Sequence, residues 1–327
     1  PGRLAVLPAQ AAFAHFIERL SGYVTVKLAV LPEYEAQARS MLPSSTQLFP
    51  MAYNDAWMRD IGPTMVVNDA GVKRAVNWQF NAWGGELDGL YDDWSDDENV
   101  AAQIAQQEGV ERYDAPFVLE GGSIHCDGEG TLYTTEECLL HPSRNPELSR
   151  EDIEVQLKAY LSIEKIIWLP LGLFNDETNG HIDNILHVVR PGEVLLTVCD
   201  DENDPQYAIS QQALNLLAET RDARGRKIKV HQLPLPGPLY IREDEAAGLV
   251  QPDRMERAAE DRLAGSYANC LICNGAVFYP LLDEAKDRVA HDVLQKAFPQ
   301  HELIGIPARD ILLGGGNLHC ITQQIPA

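Results

Sequence analysis

Residues 312–324 read LLGGGNLHCITQQ and contain, at 314–320, the last of five turn-rich segments that pace the chain. The others are residues 54–63, 120–123, 176–184 and 265–274. Asp60 and Glu120 stand 60 positions apart, Glu120 and His181 61, and His181 and Cys320 139, with segment 265–274 between. Roughly five units of about 65 residues would fill the chain, which points to a repeated supersecondary unit arranged around an axis.

Between these segments, helical and strand patterns alternate. Apolar spacing predicts helices over 11–20, 33–42, 150–160, 210–220, 254–263 and 288–298. Apolar runs rich in β-branched residues predict strands over 24–31, 165–169, 192–198, 227–233, 276–280 and 302–306. Residues 267–279 read as one buried strand, and the acidic stretches 92–98 and 200–204 read as loops. This is an α/β pattern. No low-complexity linker divides it, so residues 1–327 are expected to form a single domain.

The chain is 45% apolar, enough for a sizeable core. No apolar run approaches the ~18 residues of a membrane-spanning helix, and no charged-then-apolar leader is visible. Acidic residues number 49 against 26 basic ones, a net charge of −23. Such a surface repels nucleic acid and anionic membranes, which bind through Lys and Arg, so neither is an expected partner. It draws small cations, although net charge also serves solubility alone. The six cysteines are Cys126, Cys138, Cys199, Cys270, Cys273 and Cys320. They are too sparse for a disulfide framework, and a reduced, cytoplasmic protein is the simpler expectation. Cys270 and Cys273 form a CxxC with no second pair nearby to complete a zinc site.

The turn-rich segments carry the chemistry. Gly314, Gly315 and Gly316 permit φ > 0 and close backbone approach just before Asn317, His319 and Cys320. A cysteine in that setting suits a nucleophile, and equally a buried strand position. Residues 179–184 read NGHIDN. If they are extended, His181 and Asp183 share a face, where a proton-transfer histidine and a carboxylate can cooperate. They could also be an ordinary surface pair or metal ligands, with no third ligand at a recognisable spacing. Residues 54–63 read NDAWMRDIGP. Asp60 can point inward while Arg59 pairs elsewhere, and Trp57 can wall a pocket; an N-capped turn with a surface ion pair is the alternative. In residues 117–125, FVLEGGSIH, Glu120 ends an apolar strand and Gly121 and Gly122 clear space beside it; a plain turn charge reads the same way. One cysteine, one histidine and three carboxylates (Asp60, Glu120, Asp183) thus lie at glycine-rich turns. Clustered carboxylates raise one another's pKa and tolerate each other best around a cation. A guanidinium fits, because its planar N–H donors match carboxylates bidentately and its carbon yields to a thiolate.

These residues resemble those of agmatine deiminases, in the guanidine-modifying or pentein superfamily. The segments NDAWMRDIGP, NAWGGELDGLY, FVLEGGSIHCDGEGTLYTTEECLLHPSRNP, DETNGHIDN, GSYANC and GGGNLHCITQQ resemble that family's motifs, in order and over essentially the whole chain. The resemblance implies an α/β fold, a five-bladed α/β propeller with pseudo-fivefold symmetry. It implies hydrolysis of agmatine to N-carbamoylputrescine and ammonia, in putrescine and polyamine metabolism, without metal or organic cofactor. It further implies Cys320 as nucleophile carrying an amidino group and His181 as general acid and base. Asp60 and Asp183 would grip the guanidinium nitrogens, Glu120 would fix His181 or hold a further nitrogen, and Trp57 would wall the pocket. Enzymes of this kind commonly form homo-oligomers. The family usually has a few tens of residues, including a first strand, before the point where this chain starts, and residues 1–9 match it poorly.

Rival readings keep the chemistry or replace it. Free, methylated or peptidyl arginine would need a basic clamp for the α-carboxylate, and no basic cluster lies near the motifs. Amidino transfer to an amine, a non-catalytic polyamine-binding protein, and a zinc hydrolase using His181, His319 and Cys320 complete the set.

Overall fold

A computed structural model of the chain describes residues 7–249, 254 and 256–327. Four times along it the same unit is written: a hairpin, a helix, then a strand that returns parallel to the second hairpin strand. Strand β1 (Lys27–Val30) pairs parallel with β2 (Gln47–Pro50) across the short helix Glu35–Met41. In the next sheet β3 (Thr64–Val67) and β4 (Lys73–Gln79) run antiparallel, and β5 (Glu111–Val118) returns parallel to β4 after helix Asp97–Glu108. The pattern repeats in β6 (His125–Cys126), β7 (Thr131–Thr135) and β8 (Lys165–Leu169) around helix Arg150–Leu161. It repeats in β9 (Leu186–Arg190), β10 (Glu193–Val198) and β11 (Lys229–Pro234) around Pro205–Glu219. It repeats again in β12 (Leu271–Cys273), β13 (Ala276–Leu281) and β14 (Glu302–Pro307) around Glu284–Ala297. The α/β alternation and the repeated unit expected from the spacing are both present. Among the described residues the sheets are small and open, and none closes into a barrel.

Local chemistry explains where the helices start. Ser149 and Asp152 form a reciprocal capping box at the head of Arg150–Leu161. Asp204 and Asp283 cap Pro205–Glu219 and Glu284–Ala297 by accepting backbone N–H bonds. Each helix then buries one stripe. Ala290, Leu294 and Ala297 pack with Leu233, Val277 and Tyr279, so this helix joins two neighbouring sheets. A fully buried Leu such as Leu294 contributes about 1.5–3 kcal/mol relative to an exposed one.

Three local expectations are corrected. Residues 254–263 carry no helix: residue 255 lies outside the described residues, and the rest is turn plus an isolated bridge from Tyr240 to Arg262. Arg257 and Arg262 there pair with Glu177 and Asp204, so tertiary ion pairs override local helix propensity. Residues 267–279 are not one strand, because Gly275 at φ 78° reverses the chain and splits them into the β12–β13 hairpin. The acidic stretch 92–98 ends inside a helix, whose first turn takes Asp97 and Glu98 at its positive end. Of the poorly matching residues 1–9, residues 1–6 lie outside the described residues, while 7–9 begin helix Leu7–Leu20. Among the described residues no helix is long and apolar enough to cross a membrane.

The topology places the five turn-rich segments. Four connect the last strand of one unit to the first of the next: β2 to β3, β5 to β6, β8 to β9 and β11 to β12. The fifth follows β14. Equivalent connections of a repeated unit bring their side chains together.

Candidate active site

The first segment is anchored by a residue that the sequence reading did not single out. Asp97 is fully buried, accepts from the backbone N–H of Asn54 at 2.7 Å, and is also bonded by the Tyr91 hydroxyl. Trp57 follows, its Nε1–H donating to Asp55 at 3.0 Å. The helical turn Met58–Ile61 then buries both Arg59 and Asp60. Arg59 donates its backbone N–H to the Cys320 carbonyl at 2.9 Å and its Nε–H to the His319 carbonyl at 3.3 Å, so it docks the last segment onto the first. Asp60 accepts from the Gly122 N–H at 2.8 Å and from Trp83 Nε1–H at 2.9 Å.

Gly122 is the hub. A Cβ there would lie 2.6 Å from His181 Nδ1, 2.8 Å from Asp60 Oδ1 and 3.1 Å from Asp183 Oδ2. The structure therefore brings Asp60 from one connection, and His181 and Asp183 from another, to one point on a third. Gly122→Ala is expected to push these groups apart and lower turnover at least ~10²-fold with little change in melting temperature, measured by steady-state kinetics and thermal unfolding. Undiminished turnover would mean that the cluster is not where the chemistry occurs.

His181 and Asp183 meet there by a route other than strand alternation. His181 is the N-cap of the helical turn Ile182–Ile185, so the segment is bent rather than extended. The His181 ring lies 3.8 Å from Asp60 Oδ1 and 3.9 Å from Glu120 Oε2, beyond hydrogen-bond reach of both. Glu120 is fully buried and paired through Oε1 with Arg144 Nε at 2.6 Å. Arg144 also donates to Asn179 Oδ1 at 2.7 Å and the Thr178 carbonyl at 2.9 Å, tying the second segment to the third. Glu120 Oε2, His181 Nε2 and Asp183 Oδ1 are buried with no hydrogen-bond partner among the described residues. Buried polar atoms of this kind carry a desolvation cost and call for a functional explanation.

Cys320 is 6% exposed. Its Sγ accepts from Asn269 Nδ2 at 3.0 Å and stands 3.7 Å from Asp183 Oδ2. Asn269 also accepts from the His319 backbone N–H, so the fourth connection holds the fifth. Gly316 separates Cys320 from Trp57: a Cβ there would lie 2.5 Å from the indole and 3.0 Å from the Cys320 Cβ. Trp57 thus stands across Gly316 from the cysteine. Asn269, Arg144, Trp83 and Asp97 received no role from the sequence. All four act across the fold, and no local spacing marks them.

The electrostatics follow from burial. Asp60 is pushed up to about 7, first by burial and then by Glu120. Asp183 is held well above the carboxylate range by burial, Asp60 and Asp176. Burial, Asp183 and Asp60 raise the Cys320 thiol well above its ordinary value. His181 is driven well below the usual imidazole range by burial and by Arg144. Without bound substrate the site therefore holds neutral imidazole and neutral thiol, and Asp60 and Asp183 keep their protons to higher pH than ordinary carboxyls do.

Two groups of side chains among the described residues could hold a metal ion: Glu120, Cys138 and His181, and His125, His187 and His319. The first belongs to the cluster just described. His181, His319 and Cys320, the zinc set considered from the sequence, do not make a group.

With this geometry, similarity to known proteins becomes informative. The sequence profile of the Porphyromonas-type peptidyl-arginine deiminase family matches residues 3–326. The chain belongs to that family. A Vibrio parahaemolyticus (serotype O3:K6) family relative, provisionally named agmatine deiminase, is 57% identical over 321 residues, 98% of this chain and 89% of the relative. The solved agmatine deiminase of Enterococcus faecalis is 40% identical with a TM-score of 0.93, covering 99% of this chain and 89% of that one. The C. jejuni agmatine deiminase, solved as a cysteine-to-serine variant with substrate bound, is 28% identical with a TM-score of 0.82, covering 97% and 87%. The resemblance read from the motifs stands, and the fold is the mixed α/β fold of these enzymes. Deimination, for which the family is named, is hydrolysis at a C–N bond, so the chain is a member of an enzyme family.

Proposed function

We propose that this protein hydrolyses agmatine to N-carbamoylputrescine and ammonia through a covalent intermediate on Cys320. One observation carries the reading: the buried carboxylates Asp60 and Asp183 meet at Gly122 beside a buried cysteine, with Glu120 on the far nitrogen of His181, and of the two buried arginines nearby Arg144 is committed to Glu120. The other, Arg59, acts on Asp60, Asp183 and Cys320, so a bound guanidinium supplies the third positive charge against three carboxylates. Agmatine carries that guanidinium and a second positive charge, which suits a chain of net charge −23. The relatives named for agmatine add to the case.

In this mechanism Asp60 and Asp183 accept guanidinium N–H bonds and aim the central carbon at Cys320. The cation reverses the effect of the carboxylates on the thiol and favours thiolate. His181 takes up the proton released by the thiol. The thiolate attacks, a tetrahedral adduct forms, and His181 returns the proton to the leaving nitrogen, which departs as ammonia. Water, deprotonated by His181, then attacks the thiouronium carbon, and collapse releases the carbamoyl product and the thiol. Glu120, held by Arg144, keeps His181 in place or takes a further guanidinium nitrogen, and Trp57 closes the pocket wall. Residues 1–327 act as one catalytic domain, a five-bladed propeller whose equivalent connections line the axis. The protein works in the cytoplasm as a homo-oligomer, needs no cofactor for turnover, and feeds putrescine formation.

A pH dependence follows with a definite sign. Asp60 is lifted from 3.8 to about 7, so between those values the folded chain holds a proton the unfolded chain has lost. Its contribution to stability is present below about pH 4 and is lost as pH rises to 7. Agmatine acts the other way, because it binds the ionised carboxylates. Its KM is expected to fall as pH rises through about 7, with protons released on binding, and Asp60→Asn is expected to flatten that limb. A KM that rises over the same range would contradict the assignment.

The reading is tested by incubating the protein with agmatine and, separately, arginine, and assaying ammonia and the ureido product. Agmatine is expected to be preferred by kcat/KM at least ~10²-fold. Preference for arginine would keep the chemistry and move the substrate, and turnover of neither would overturn the proposal.

A further inference from the structure

Next to Asp183, three histidines stand together. His125 comes from the first strand of the third sheet, His187 from the first strand of the fourth, and His319 from the segment after β14. The ring centroids of His125 and His187 are 4.3 Å apart, those of His125 and His319 5.1 Å, and those of His187 and His319 5.3 Å. One ring nitrogen of each lies within 4.8 Å of one from each of the others. The mechanism above uses none of these rings.

Their hydrogen bonds orient them. His187 Nδ1 lies 3.0 Å from the Ala268 carbonyl, which can only accept, so Nδ1 carries the proton and Nε2 keeps its lone pair. His319 Nδ1 lies 2.7 Å from Asp183 Oδ2, and in the tautomer where Nδ1 donates to that oxygen, with any Asp183 proton on Oδ1, Nε2 is again free. His125 Nε2 is buried and has no hydrogen-bond partner among the described residues. Imidazoles anchored through Nδ1–H to a backbone carbonyl and to a carboxylate are in the arrangement that supports metal ligation through Nε2.

We propose that His125, His187 and His319 form a site for a divalent ion of the zinc class, and that the ion regulates the neighbouring carboxylate through His319. Three neutral nitrogens suit zinc or cobalt better than magnesium or calcium, which prefer oxygen, and the ion binds against the charge of Arg59, which acts on all three rings. Zn–N bonds of about 2.0–2.1 Å would draw the rings inward. His125, the one partly exposed member, gives the approach from outside. Once bound, the ion makes His319 a stronger donor and holds Asp183 Oδ2 toward it. That oxygen is one the proposed mechanism gives to the guanidinium, so metal and agmatine oppose each other, and by linkage each weakens the other's binding. This regulatory step rests on the agmatine reading; the metal site does not.

Cobalt(II) titration of the purified, substrate-free protein separates the two. A saturable visible absorption band of one tetrahedral cobalt per chain is expected, displaced by zinc(II). It should be lost in His187→Phe and in the milder His187→Gln, either of which turns over agmatine normally in the absence of metal. Zinc should raise the agmatine KM ~5-fold or more in the unaltered protein and leave it unchanged in the His187 variants. No saturable band would overturn the site. A sulfur-to-cobalt charge-transfer band in the near ultraviolet, or undiminished binding in both His187 variants, would place the ion on Cys320 instead and also overturn it. Cobalt binding without any agmatine turnover would leave the site standing and remove only the regulatory step.

Discussion

Cys320→Ser is expected to lower kcat by ~10³-fold or more while the protein folds and binds agmatine as before. The buried site accepts the change in size: Asn269 Nδ2, which now donates to Sγ at 3.0 Å, can donate to a hydroxyl. What serine cannot supply is a nucleophile that ionises in this setting. Asp183 and Asp60 already oppose ionisation of the thiol, and an alkoxide would face the same carboxylates from a much higher starting pKa. Thermal unfolding should be unchanged, and agmatine should still raise the melting temperature. Appreciable turnover by the variant would remove Cys320 as nucleophile.

Asp183→Asn should show an activity loss with no matching loss of stability. In the cation-free site Asp183 retains its proton because of burial, Asp60 and Asp176, so an amide resembles the form the fold already prefers. Melting temperature should hold or rise. Activity should fall about 10²–10³-fold in kcat/KM, through both terms. The amide cannot balance the guanidinium, and one of its two ends now donates where an oxygen accepted. A normal kcat/KM would exclude Asp183 from the substrate's grip.

The sequence was informative where periodicity is local. Residues 165–169 are the strand Lys165–Leu169 at both ends, and the helix read over 150–160 is Arg150–Leu161. Apolar alternation and helical spacing are properties of neighbouring residues, so they survive without knowledge of the fold. The turn-rich segments were equally legible, because glycine marks places where backbone must approach closely, as at Gly122 and Gly316. The errors arose where distant groups decide. Arg257 and Arg262 look like helix surface until Glu177 and Asp204 are seen beside them. His181 and Asp183 read as a strand pair, yet they converge by a cap and one helical turn. Arg144, which neutralises Glu120 and links two segments, lies 24 positions from its partner with nothing local to connect them. The same holds for the three histidines beside Asp183, which come from three separate segments and meet only in the folded chain.

The covalent step is open to direct observation. The protein is mixed with excess agmatine, quenched in acid during steady turnover, digested, and the peptide carrying Cys320 is weighed. A fraction of that peptide is expected to be heavier by the mass of agmatine less ammonia, with the modification on Cys320 and none in Cys320→Ser. Sustained turnover with the peptide unmodified at every quench time, or with the modification on another residue, would contradict it.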